Sequence, residues 1–146
     1  MIKMPIIIFM KRLLVFLSIC ALLLGIRLGN GIIFTVQLPK DAVLYVYREG
    51  GVIDSMPYTE VKFWDKFECF AIRIDTVGDI EVVDGIFAQL KAKRRFEQMV
   101  SGVTVFYGYT PYLKKYNILN SCVVNLMIAY KDSKVSIGYP MLAGSY

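Results

Sequence analysis

The chain has 146 residues, 56% of them hydrophobic, with 17 Lys and Arg against 12 Asp and Glu and no histidine. That length holds one domain, and the lack of histidine removes the commonest general base and metal ligand. Residues 1–30 carry Lys3, Lys11, Arg12 and Arg27 and no acid; taking those four from 17 leaves 13 bases against 12 acids, and a charge of +1 lacks the footprint of a nucleic-acid binder.

The leader comes first. Lys11–Arg12 precedes LLVFLSICALLLGI, residues 13–26. This run has the length of a signal-peptide apolar region and falls short of the ~20 residues that span a bilayer. Residues 1–30 are therefore expected to be a signal peptide or an N-terminal membrane anchor. Met10 opens a well-proportioned leader, while GIRLGNG offers no clear small-x-small cleavage site. The basic flank predicts that residues 31–146, a single domain, face outward, either secreted or anchored to the cell membrane. Cys20 follows Ile19 rather than a small residue, and the apolar run continues past it. It reads as an ordinary cysteine within a helix.

Residues 32–38 are expected to be a first strand or the tail of the anchor. AVLYVYRE, residues 42–49, alternates and is rich in β-formers, so it reads as a strand ended by Gly50–Gly51. Residues 52–66 read as a loop with one short strand around Val61–Trp64. FECFAIRID, residues 67–75, alternates: Phe70, Ile72 and Ile74 face one way, and Cys69, Ala71, Arg73 and Asp75 the other. Cys69 and Cys122 are expected on opposite faces of the sheet, as small buried side chains rather than a disulfide.

Thr76-x-x-Asp79 resembles a capping box and opens a long helix over about 79–99. Val83, Ile86, Phe87 and Leu90 form its apolar stripe. Acids early and Lys91, Lys93, Arg94 and Arg95 late suit the helix dipole, and Ser101–Gly102 closes it. VTVFYGY, residues 103–109, is a strand, and residues 110–117 a loop or single helical turn. Residues 122–130 and 134–139 make a hairpin, with the remainder extending the last strand or packing as a tail.

One long helix over one face of an antiparallel sheet is an α+β, two-layer arrangement. Phe70, Ile72, Ile74, Val103, Val105, Tyr107, Val124, Leu126, Ile128, Val135 and Ile137 are expected to face the helix. The opposite, open face collects Arg73, Phe106, Asn125, Met127, Lys134 and Ser136, among smaller residues. An antiparallel sheet leaves such a face to water or to a partner.

The closing stretch, VNLMIAY followed by VSIGYPMLAGSY, resembles the YwmB family, the secreted TATA-box-binding-protein-like proteins of spore-forming Firmicutes. Asn125, Leu126, Ile128, Val135, Gly138, Pro140 and Tyr146 match that family's closing hairpin and tail, and VTVFYGYTPYLKKY is similar to the strand and turn before it. Tyr139 stands where the family pattern has Thr. The resemblance covers residues 67 to 146. It implies a curved sheet backed by a helix, a TATA-binding-protein-like lobe, an extracytoplasmic location and a sporulation-related setting. It implies no catalytic residues.

The sequence thus predicts a non-enzymatic domain without cofactor or metal. Phe106, Asn125, Met127, Ser136 and Arg73 on the open face are the expected contacts for a protein or cell-envelope partner. Two alternatives stand beside it. One is a nucleic-acid binder using the same face, with Phe106 as wedge beside Arg73, Asn125 and Lys134. The other is a small hydrolase or metal-binding protein using Asp75, Asp79, Glu81 and Asp84.

Overall fold

The computed structural model describes residues 6–28, 31–49, 51, 53–62, 67 and 69–144. After helix α1 (Ile6–Leu28) and a 3-10 turn at Gly31–Thr35, the chain forms β1 (Val43–Tyr47), β2 (Ile53–Pro57), β3 (Ala71–Val77), α2 (Ile80–Gln89), β4 (Lys93–Val100), β5 (Val103–Tyr109), β6 (Asn117–Leu119), β7 (Cys122–Val124), β8 (Leu126–Lys131) and β9 (Lys134–Tyr139). Seven strands make one antiparallel sheet in the order β2-β1-β3-β9-β8-β5-β4, and β6 and β7 pair as a separate hairpin. The class is α+β, as expected.

The core lies between this sheet and α2. One row of side chains crosses the sheet in register, Leu44, Ile74, Ile137, Ile128 and Phe106, each buried. Val83, Ile86, Phe87 and Leu90 of the helix meet it, all four buried, as their spacing predicts. Asp79 is the N-cap, and its Oδ1 accepts from the N–H groups of Glu81 and Val82 at 3.1 and 3.3 Å. Gly108 passes directly beneath the Phe87 ring, where a β-carbon would clash.

The expected helix over 79–99 is two elements. It stops at Gln89, and residues 93–100 form edge strand β4. The Ala92 N–H donates to the Phe87 carbonyl and the Lys91 N–H to the Ala88 carbonyl, with Lys91 in the left-handed region at φ 50°. This is a Schellman-type stop with lysine in place of the usual glycine. KAKRRFEQ consists largely of helix formers, and pairing with β5 overrides that preference. Ser101–Gly102 is the two-residue turn of the β4–β5 hairpin, with both residues at positive φ. Asn120–Ser121 and Asp132–Ser133 turn the β6–β7 and β8–β9 hairpins in the same way.

Other expectations also shift. Gly31–Thr35 is a 3-10 turn rather than a strand, and β2 lies at residues 53–57; the strand sought at 61–64 falls partly outside the described residues. Phe70 lies outside the sheet and is exposed. Val103, Val105 and Val124 leave the helix side for a second cluster with Met127 and Ala129. Residues 103–109 are largely buried on both faces, so alternation there cannot tell one side from the other.

In α1 the side chains of Ile6 to Leu22 are exposed except half-buried Cys20. Among the described residues no helix is long and apolar enough to cross a membrane. Cys20, Cys69 and Cys122 are free thiols.

Candidate functional site

The second face of the sheet is divided in two. Beyond β9 the chain turns back at Pro140 and crosses its own sheet. The Leu142 N–H donates to Met127 Sδ at 3.4 Å, and Arg73 donates to the Ala143 carbonyl at 3.2 Å. Gly138 permits this crossing, since a β-carbon there would fall 2.5 Å from the Leu142 nitrogen and 2.6 Å from the Met141 carbonyl oxygen. The tail thus covers Met127, which is 8% exposed, and packs Met141 and Leu142 on the second cluster.

The other half of this face is a groove of about 600 Å³. Val43, Val103 and Ala129 give it an apolar floor, and Arg73, Asp75, Ser136, Lys131, Asp132 and Lys134 supply its polar walls. Pairing across β1, β3, β9 and β8 sets Val43, Asp75, Ser136 and Ala129 in one row. Arg73 Nε donates to Asp75 Oδ1 at 2.7 Å, and a second nitrogen of the same guanidinium donates to Ser136 Oγ at 3.4 Å. Burial works to lower the Arg73 pKa, but the hydrogen bond and charge of Asp75, with Tyr47 beside them, raise it above the ordinary value. At the groove's end Lys131 and Lys134 stand directly opposite each other beside the β8–β9 turn. Like charges so placed repel, and an anionic group between them would relieve that.

Of the five expected contact residues, Arg73, Ser136 and Met127 share this face. Phe106 does not. It is 5% exposed on the helix side, under the Arg94 guanidinium at 4.9 Å from its ring centroid. Asn125 is fully buried between β7 and β8. Its Oδ1 accepts from the Thr110 N–H at 2.9 Å, and its Nδ2 donates to the Thr110 and Leu113 carbonyls at 2.7 and 3.0 Å. It braces the 110–113 loop and, being fully buried, lies out of a partner's reach. The exposure expected for these two is therefore corrected. Phe106 lies on a strand with two covered faces, and Asn125 breaks the long strand expected over 122–130.

The acids expected to gather are separated into different tasks. Asp75 pairs with Arg73, Asp79 caps α2, and Asp84 pairs with Arg94. Among the described residues no group of three or more His, Cys, Asp or Glu could hold a metal ion. The groove residue that sequence reasoning undervalued is Asp75. Its alternation with Arg73 places both on one face, yet its neighbours in sequence draw it into the acidic run. No family model, curated protein or solved structure matches this chain.

Proposed function

We propose that this chain is an extracytoplasmic binding domain, tethered by its N-terminal segment or released from it, that holds a protein or cell-envelope partner in the groove of its second sheet face. The observation that carries the reading is the groove itself. It is an apolar-floored concavity with charged walls, left open on a sheet whose other face is sealed by α2. The opposed lysines, Lys131 and Lys134, receive an anionic group of the partner. The part played by Arg73, Ser136 and Met127 is revised accordingly: Arg73 and Ser136 form the wall, and Met127 anchors the tail that bounds the groove.

The outward location rests on the exposed apolar side chains of α1 and the Lys11–Arg12 flank before its longest apolar run. The YwmB-like, TATA-binding-protein-like reading belongs with it, carried by the closing hairpin of β8 and β9. A binding role is favoured over hydrolysis because the Asp75 carboxylate is committed to a hydrogen bond with the Arg73 guanidinium. It is favoured over nucleic-acid binding because the wedge expected at Phe106 faces the helix.

The test is a photo-crosslinking residue, benzoylphenylalanine, at Ser136 in the full chain, irradiated in the cells that make it. A discrete adduct that disappears in the Lys131→Glu/Lys134→Glu background supports the reading. The absence of an adduct from Ser136, with the same residue at Thr104 on the helix side as control, would sink it.

A further inference from the structure

The groove has a direction, set by its charges. Its lining carries three cationic and three acidic side chains, so it is neutral as a whole. Arg73 and Asp75 answer each other in its wall at 2.7 Å. The remaining charges are divided between its two ends. Asp41, just ahead of β1, stands at one. Lys131 and Lys134 stand at the other, with Asp132 in the turn between them, so that end keeps a net positive charge. Among the described residues Asp41, Lys131 and Lys134 make no ion pair and no side-chain hydrogen bond.

The sheet fixes how far apart these ends are. From β1 it runs through β3 and β9 to β8. Neighbouring strands lie about 4.8 Å apart, which puts β9 about 10 Å and β8 about 14 Å from β1. An extended chain advances about 3.5 Å per residue, so about three or four residues cover that span. Between the ends lie the aliphatic floor of Val43, Val103 and Ala129 and the Ser136 hydroxyl. No aromatic ring lines the groove, so nothing there stacks a nucleobase. Two lysines offset by Asp132 suit the single charge of a carboxylate better than the roughly two charges of a phosphate monoester.

We propose that the ligand of the groove is a short zwitterionic peptide of about three or four residues with small apolar side chains, lying across the strands beside the tail. Its terminal carboxylate sits between Lys131 and Lys134, and its terminal ammonium at Asp41. This rests on the reading of the groove as the binding site and names the kind of partner it takes. Opposite charges at the two ends, with an aliphatic floor between them, select a peptide with both ends free over a polyanion.

The test dialyses the full chain, in detergent micelles, against a mixed library of peptides of Gly, Ala, Val and Ser, from dipeptides to octapeptides. Mass spectrometry reads those retained. Tripeptides and tetrapeptides with both ends free should be held about tenfold more tightly than the same sequences acetylated or amidated. Lys131→Glu/Lys134→Glu should abolish the retention, with β8 and β9 still protected in hydrogen exchange. Asp41→Lys should turn the preference at the other end from free amines to succinylated ones. Retention indifferent to the state of the ends, or unchanged in these variants, overturns the proposal. If no peptide is held while Ser136 still forms its adduct in cells, the peptide falls and the groove stands. If the adduct fails as well, both fall.

Discussion

The two faces of the sheet differ by a shift of one residue along each strand. On the helix side the row Leu44, Ile74, Ile137 and Ile128 is apolar and closed to water. One residue away, the row Val43, Asp75, Ser136 and Ala129 lines an open groove. The same strands serve both, so the first row supplies the stability that lets the second be concave and charged. Even the second face is not uniform. Its tail-covered half behaves as core, with Met127 and Val105 buried, and only the half near Lys131 and Lys134 stays free for contact.

Breaking the contrast between the rows should give the largest effect. Ile137→Ala removes a side chain that is 1% exposed at the centre of the closed row and should cost about 4 kcal/mol. Its neighbour Ser136→Ala, in the groove wall, loses only the long hydrogen bond from Arg73 and should cost about 1 kcal/mol or less. Urea unfolding of both variants measures the difference, and equal losses would mean that the two rows are not divided into core and groove. Asn125→Ala comes next, at about 3 kcal/mol, since it leaves buried groups of Thr110 and Leu113 without partners.

Gly138→Ala sharpens the division within the second face. The new β-carbon meets backbone, not a flexible side-chain end, so the tail must move, at a cost of about 2 kcal/mol. Faster hydrogen exchange at residues 141–144, with β8 and β9 still protected, is the expected sign. The smallest structural effect should be a gain. Lys91→Gly relieves a left-handed lysine and should stabilise the chain by about 1 kcal/mol.

Alkaline pH tests the closed side differently. The Tyr58 hydroxyl is buried and shares its one proton between the Ile33 and Val36 carbonyls, at 3.1 and 2.8 Å, and burial raises its pKa far above the ordinary 10.0. Burial also raises Tyr139, although N–H donors from Lys115 and Lys114 oppose it. Both groups hold their protons more tightly in the folded chain. Their contribution is therefore full below pH 10.0 and is lost as pH rises beyond it. Tyr58→Phe should flatten part of that alkaline fall in a thermal-melt series, and an unchanged slope would count against the closed row.

Much of this was legible in the residues. The strands at 43–47, 103–109 and 134–139 follow from alternation, and the helical stripe of Val83, Ile86, Phe87 and Leu90 from its spacing. The end of that helix was hidden because Lys91 takes a conformation usually given to glycine, and the following residues favour helix on their own. Ser101–Gly102 carried the missing signal, since a Ser-Gly pair between Val100 and Val103 suits a hairpin turn as well as a helix stop. The candidate site was half legible. Arg73, Met127 and Ser136 reach the second face by simple alternation. Phe106 and Asn125 did not, because one face of β5 looks like the other and Asn125 spends its amide on the backbone of a distant loop. The tail's path across Arg73 depends on a close approach at Gly138 that no periodicity announces.

The proposal for the groove stands or falls with the domain lying on the outer side of a membrane. The direct measurement is to express the full chain with a C-terminal tag and treat intact cells with protease. Loss of the tag from intact cells is the predicted result, and the mass of the protein then tells whether α1 is retained. A tag protected until the cells are lysed would contradict it and remove the envelope partner of the groove.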